Sequence, residues 1–154
     1  GLYQSIEQHN PGVDLGTAAS LKGIDLEQFL FPDALDFFST HDAADIEIVS
    51  SGFGLTAQWE VAYQTKKIEL SGIAKYVHAI HVVPDSKISM IKRIARESDD
   101  VTYVDDHPEN VASAVQHISG LTVVYLDRSG QQVAIAGAKT IDTLSALDAS
   151  IKSS

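Results

Sequence analysis

Cysteine is absent from this sequence of 154 residues, and cations are few. Without cysteine there are no disulfides, thiolate metal sites or thiol nucleophiles. Lysine and arginine total 11 against 21 aspartates and glutamates, a formal net charge of -10. So acidic a surface would repel the phosphate backbone of a nucleic acid. We therefore expect no nucleic-acid partner.

Long apolar runs are also missing from the sequence. No stretch approaches the roughly 18 apolar residues that a membrane-spanning helix needs. The first residues do not show a basic region followed by an apolar core. The simplest interpretation is a soluble, cytoplasmic protein that does not enter a membrane.

The hydrophobic share of the sequence, 44%, is sufficient for one substantial core, and one domain is expected at this length. Apolar runs typical of strands alternate with segments of helical periodicity, and Pro32 is placed to open a helix. This alternation predicts an α/β fold with a parallel sheet and helices on both faces. The predicted strands are 46–49, 78–83, 101–104 and 121–126, and the helices that follow them are 55–68, 88–96, 108–118 and 140–151.

Polar side chains follow three of the predicted strands. Ser50 and Ser51 follow the first strand, and Lys87 comes after the second, at a predicted helix start. Asp105 and Asp106 follow the third strand. Ligands of such sheets gather at the carboxyl ends of the strands, where loops and helix N-termini converge. We therefore expect these residues to lie near one another.

The adjacent carboxylates of Asp105 and Asp106 have two interpretations. Oxygen ligands of this kind suit a hard divalent cation such as Mg2+, and two negative charges so close need a cationic partner. Alternatively, Asp105 only ends the strand while Asp106 caps the helix that Pro108 helps to start. The residues alone support both interpretations about equally.

Lys87 and Ser50 also have two interpretations each, and the structural one is favoured for both when each residue is considered alone. The Lys87 ammonium would bind phosphate or steady a nearby carboxylate, or it is a solvated surface lysine. Ser50, together with amides of the turn at Gly52 and Gly54, would bind phosphoryl oxygens, or it caps a helix.

The order of these residues resembles motifs two, three and four of the haloacid dehalogenase superfamily. The three matching segments are "IVSSGFG" with Ser50, "VVPDSKISMIKRI" with Lys87, and "VTYVDDHPENVASA" with Asp105 and Asp106. The similarity runs over about 31–128 and includes "FPDALDFF" before motif two and "LSGIAKYVHAIHVV" before motif three.

Most members of that family are Mg2+-dependent phosphatases that act through an aspartyl covalent intermediate. The resemblance implies a HAD-like core in which Lys87 stabilises charge around the nucleophile and also binds the phosphoryl group. It further implies a small-molecule phosphate ester as substrate. The remaining implied site residues are Ser50, Ser51 and Gly52 for phosphate, and Asp105, Asp106 and Asn110 for Mg2+, where Asn110 would act through its amide oxygen or through water.

The first motif of the family, an Asp-x-Asp segment that supplies the nucleophile, has no copy in this sequence. Asp127 follows a predicted strand but lacks the second aspartate. In the family, the first strand lies between the strands that would carry Ser50 and Asp105. We therefore hypothesise a fragment or shortened gene product, or a first strand replaced by rearrangement, by a homo-oligomer or by a strand-supplying partner.

The expected organisation is a small helical cap over 1–30 and a HAD-like core over 31–154 that lacks its first strand. The expected function is a Mg2+-dependent phosphate monoester phosphatase of HAD type. Because the nucleophile motif is missing, we expect weak activity or none from the chain as it stands. The alternative is a HAD-like module that binds a ligand or regulates without catalysis.

Overall fold

The computed structural model describes residues 25–51, 57–131 and 133–152. Most of the cap predicted for 1–30 lies outside the described residues, as does Gly52, and the predicted boundary at residue 30 stays a prediction. The chain divides into two compact units, Gly1–Ser86 and Lys87–Ser154.

Among its described residues, the first unit contains two α-helices and two strands. Helix α1 is Pro32–Thr40, strand β1 is Glu47–Ser51, helix α2 is Ala57–Leu70 and strand β2 is Ala79–Val83. Helix α1 begins at Pro32 as predicted, because a first-turn residue needs no N–H donor. The strands β1 and β2 pair in parallel, with Ser50 opposite Val82.

In the part of the second unit that the structure describes, there are three α-helices and three parallel strands. The elements are α3 (Ile88–Glu97), β3 (Thr102–Asp105), α4 (Pro108–His117), β4 (Thr122–Leu126), β5 (Lys139–Ile141) and α5 (Leu147–Lys152). The strands lie in the order β3-β4-β5, and Asp105 is opposite Tyr125. Val111 and Ala114 of α4 pack on Val123 and Tyr125 of β4, so that α4 covers one face of this sheet.

The last predicted helix, 140–151, is wrong at its beginning. Lys139–Ile141 is the strand β5 instead, and it pairs with β4. The β-branched residues Thr140 and Ile141 suit a strand. Thr143 then caps the next segment, since its side chain accepts a hydrogen bond from the amide of Ser145. Regular α-helix therefore begins only at Leu147.

Parallel strands that alternate with helices make this an α/β fold of Rossmann type, as predicted. The described strands form two sheets, β1-β2 and β3-β4-β5. A single, conventionally ordered five-strand sheet would have refuted the hypothesis of a missing first strand. Because the described strands do not form such a sheet, the hypothesis stays a prediction. In the described ranges, no helix is long and apolar enough to cross a membrane.

Candidate functional site

The carboxylate of Asp105 is the centre of a hydrogen-bond network at the end of β3. Its side chain is only 3% exposed. The oxygen Oδ1 accepts a hydrogen bond from the backbone amide of His107 at 2.8 Å. Aspartate readily accepts a bond from an amide two residues ahead. This turn fixes the carboxylate where the strand gives way to α4, whose N-cap is His107.

Lys87 supplies the positive charge of the network. It is the N-cap residue of α3, and its Nζ donates to Oδ2 of Asp105 at 2.7 Å. A cation at a helix start lies next to the positive end of the helix dipole, which is unfavourable. The contact with Asp105 offsets that cost through a charge-assisted hydrogen bond, which is stronger than a neutral one.

Two further side chains complete the network. The Tyr103 hydroxyl donates to Oδ2 of Asp105 at 2.6 Å. The Asn110 amide nitrogen lies 3.2 Å from Oδ2 and 3.3 Å from Oδ1. A carboxylate offers about four lone-pair directions. Lys87, Tyr103, His107 and Asn110 all donate to this one, and the Asn110 contact is shared between its two oxygens. We call Asp105 with these donors the Asp105 network.

Tyr103 is the member of the network that the sequence reasoning missed. A signal for it was present, because residues two apart on a strand point to the same face. Tyr103 and Asp105 have this spacing in β3. A phenol on the same face as a strand-end carboxylate is within reach of it.

The network shifts the pKa values of two of its members. Burial by itself would raise the pKa of Asp105. The charge and hydrogen bond of Lys87, with the bonds from Tyr103 and the His107 amide, outweigh burial and hold that pKa below its ordinary value of 3.8. Burial, then the charge and hydrogen bond of Asp105, raise the pKa of Tyr103 far above its usual range. Tyr103 therefore keeps its proton and remains a donor.

Asp106, in contrast, faces solvent. Its side chain is 62% exposed, and its Oδ1 lies 2.9 Å from Nδ1 of His107. Because His107 is the N-cap residue of α4, the alternative interpretation of Asp106 as the cap is wrong. Asp105 and Asp106, next to each other in the sequence, thus differ in burial and in partners.

The group Asp105, Asp106 and His107 could hold a metal ion, since one ligand atom from each lies within 4.8 Å of the others. The donors fit Mg2+ unequally. Asp106 offers an exposed carboxylate, the oxygen ligand that Mg2+ prefers while it keeps several waters. Asp105 would have to give up one of its donors, and the imidazole of His107 suits transition metals better. Asp106 is therefore the residue here that would hold Mg2+.

Asn110 directs its amide nitrogen at Asp105. This contact does not use the amide oxygen, the atom through which the resemblance would have Asn110 act on a metal. The contact instead makes Asn110 a support for the buried carboxylate. A role for Asn110 toward a metal stays a prediction.

The structure brings Lys87, Asp105 and Asn110 into direct contact, with Asp106 beside them. Ser50 and Ser51 are the last two residues of β1, half-buried, in the other compact unit. The phosphate-binding roles of Ser50, Ser51 and Gly52 stay predictions, as do the catalytic and metal-binding roles of the others.

Asp127, the other aspartate that follows a strand, is buried at the end of β4. Its Oδ1 accepts from the Ser129 amide at 3.0 Å, and its Oδ2 accepts from the Val133 amide at 3.3 Å. These bonds hold the loop that leads towards β5. They give Asp127 a structural role in this loop.

Comparison with solved structures identifies the class of fold. The chain is similar to a protein from Burkholderia xenovorans LB400 whose crystal structure is described as a haloacid dehalogenase-like hydrolase. The alignment covers 97% of this chain and 73% of that chain, with a TM-score of 0.62 and 18% sequence identity. No protein-family model and no curated protein matches the sequence. The fold is therefore HAD-like, as predicted, and at this identity the similarity establishes the fold alone.

Proposed function

We propose that this chain is a HAD-type phosphohydrolase domain that binds a small-molecule phosphate monoester together with Mg2+, with weak turnover or none of its own. The observation that supports this proposal best is the 2.7 Å contact between Lys87 and Asp105, beside the exposed carboxylate of Asp106. In this arrangement the Lys87 ammonium, fixed by Asp105, lies in a HAD-like fold near the Asp106 carboxylate, which is open to solvent.

Lys87 would bind the phosphoryl group. An ammonium has three N–H donors, and Lys87 uses one of them on Asp105. The ammonium makes no other hydrogen bond among the residues that the structure describes. In the proposed complex, the remaining donors bind phosphoryl oxygens, while Asp105 and its other partners hold the ammonium in place.

Asp106 would hold Mg2+, and the bound cation would neutralise part of the charge of the phosphate ester. Charge balance favours such an arrangement. The chain carries a formal net charge of -10, which opposes the approach of an anion unless local cations offset it. Positioning and electrostatic stabilisation are the main contributions to phosphoryl transfer.

The second candidate function is binding without catalysis. Two observations favour it: the sequence has no Asp-x-Asp segment, and the Asp105 carboxylate is fully occupied by donors from four residues. A carboxylate held in this way would have to lose donors before it could replace the missing nucleophile. A HAD-like module of this kind would bind phosphate and Mg2+ without turnover.

A titration of Mg2+ into the protein, followed by calorimetry, tests the proposed cation site. We expect Asp106→Asn to weaken Mg2+ binding by about tenfold, since it removes the one exposed carboxylate of the site. The matched control is Glu109→Gln, which neutralises another exposed acid in the first turn of α4 and should change the affinity less than about twofold. Equal loss in both variants would show only a general effect of net charge.

Turnover separates the two candidate functions. If an aryl phosphate is hydrolysed with Mg2+ and Asp106→Asn abolishes that hydrolysis, the domain is a phosphatase. If the protein binds inorganic phosphate in the presence of Mg2+ but does not hydrolyse the aryl phosphate, it is a binding module. A wild-type protein that neither binds phosphate nor hydrolyses the ester contradicts both.

We further propose that β3 accepts an additional strand, from a second copy or from another segment. The Thr122 amide donates to the Val101 carbonyl, and alternate residues of a parallel strand bond to the same neighbour. The backbone groups of Tyr103 and Asp105 are therefore directed to β4, while those of Thr102 and Val104 are directed to the opposite edge. In the described ranges, no strand pairs with that edge.

Sedimentation combined with hydrogen exchange tests this strand addition. We expect slow exchange at the amides of Thr102 and Val104, because their N–H groups would be bonded to the added strand. A dimer would identify a second copy as the donor, and a monomer with slow exchange would place the strand elsewhere in the same chain. Fast exchange at both amides contradicts the proposal.

A further inference from the structure

We propose that Tyr103 is a positioning residue of the candidate site: by holding Oδ2 of Asp105, its hydroxyl sets the position of the Lys87 ammonium. The inference rests on the proposed function, because it concerns the same site. It adds Tyr103 to the residues of that site, in a role that needs no contact between Tyr103 and the ligand. Its support is that one oxygen accepts from both Tyr103, at 2.6 Å, and Lys87, at 2.7 Å.

The two donors on this oxygen differ in stiffness. The ring of Tyr103 is carried by β3 and packs against the core cluster of Val111, Ala114, Val123 and Tyr125. A packed aromatic side chain has two rotatable bonds and little remaining freedom. Lys87 instead reaches in on a flexible four-carbon stem. Tyr103 is therefore the fixed point, and the lysine adjusts to the carboxylate that Tyr103 holds.

The other oxygen of Asp105 supports the same conclusion. Oδ1 accepts from the backbone amide of His107, which is part of the strand-to-helix turn. A carboxylate held at one oxygen by backbone and at the other by a packed phenol has a single orientation. The Lys87 ammonium that binds this carboxylate then has a defined position, and its remaining N–H donors are directed away from Asp105.

Tyr103→Phe removes the hydroxyl and keeps the ring and its packing. The Oδ2 atom would then keep Lys87 and the longer contact with Asn110, at 3.2 Å. With the short neutral donor gone, we expect the carboxylate to rotate and the ammonium to move with it. Fewer of its N–H groups would then be directed towards a ligand.

A purely structural role for Tyr103 predicts a different result. In that case the variant would be less stable, while the environment of the Lys87 ammonium would not change. The 1H and 15N resonances of the lysine ammonium groups report that environment directly. The Lys87 signal can be assigned because Lys87→Arg removes it.

Tyr125→Phe is the matched control. Tyr125 lies opposite Asp105 on β4, belongs to the same core cluster and is buried. Within the described part of the chain, its hydroxyl makes no hydrogen bond to a carboxylate. We expect the Lys87 resonance to shift in Tyr103→Phe and to stay in place in Tyr125→Phe. An unchanged resonance in Tyr103→Phe, or an equal shift in both variants, overturns the positioning role.

Binding of inorganic phosphate links this role to the site. If the wild-type protein binds phosphate, we expect its Kd to rise about fivefold in Tyr103→Phe, the effect of about one hydrogen bond, and to stay the same in Tyr125→Phe. An unchanged Kd in Tyr103→Phe overturns the positioning role. A wild-type protein that does not bind phosphate contradicts the proposed function instead, and the Lys87 resonance then decides the role of Tyr103 by itself.

Discussion

Replacing Lys87 with methionine is expected to lower the free energy of unfolding by about 3 kcal/mol at neutral pH. Methionine keeps most of the length of the side chain and removes the charge. The carboxylate of Asp105, 3% exposed, would lose its cationic partner and keep only neutral donors. Removing one partner of a buried pair leaves an uncompensated charge, which is the source of the loss. Urea denaturation of the two proteins measures it.

The loss in Lys87→Met should depend on pH. The folded-state pKa of Asp105 is below its ordinary value of 3.8, so its stabilising contribution is present above that value. It is lost as the pH falls through the lower folded-state pKa. We therefore expect the difference between the wild-type protein and Lys87→Met to be constant at neutral pH and to shrink in acid.

Lys92→Met provides the control on the same helix. Lys92 makes no ion pair among the described residues, so its replacement should change the free energy of unfolding by less than about 0.5 kcal/mol. A similar loss in both variants would mean that the cost comes from α3 in general. The prediction that the loss comes from the contact between Lys87 and Asp105 would then be wrong.

Replacing Gly137 with alanine is expected to destabilise the protein by about 3 kcal/mol. Gly137 has a φ of +84°, in the left-handed region that disfavours side chains, and an added Cβ would lie 2.6 Å from Cγ1 of Val115. The backbone conformation costs about 1 to 2 kcal/mol, and overpacking adds about 1 to 3 kcal/mol. Urea denaturation measures the sum.

Gly130→Ala separates these two costs. Gly130 has a similar φ of +70°, but an added Cβ would have nothing within 4 Å. We expect this variant to lose about 1 kcal/mol, from backbone conformation alone. The excess loss in Gly137→Ala then measures the close approach of the turn before β5 to Val115 of α4. Equal losses would show that Val115 moves aside without cost.

Most of the fold could be predicted from the sequence because apolar periodicity is strong in the elements that carry it. The segments around Ile48, Ile80, Val104 and Val124 each form a strand whose ends lie within two residues of the predicted ones. The strand β5 was missed because it has only three residues. A period-2 pattern cannot be established over so short a stretch, and pairing with β4 decides the conformation there.

The candidate site was predictable at the level of residue order but not of atomic partners. The prediction that polar groups at the carboxyl ends of strands gather is confirmed for Lys87 and Asp105, which are in contact. The sequence gives no reason to rank Asp105 and Asp106 differently, since both are aspartates at one strand end. Their difference arises from tertiary structure, because only Asp105 is enclosed by donors from α3, β3 and α4.

The short distances along the chain between members of the Asp105 network have a consequence for folding kinetics. The contact between Lys87 and Asp105 closes a loop of 18 residues, and the ladder of β3 with β4 joins residues as near in sequence as Thr102 and Thr122. Loops of this length close at a small entropic cost. We therefore expect this ion pair to form early, while the chain is still collapsing.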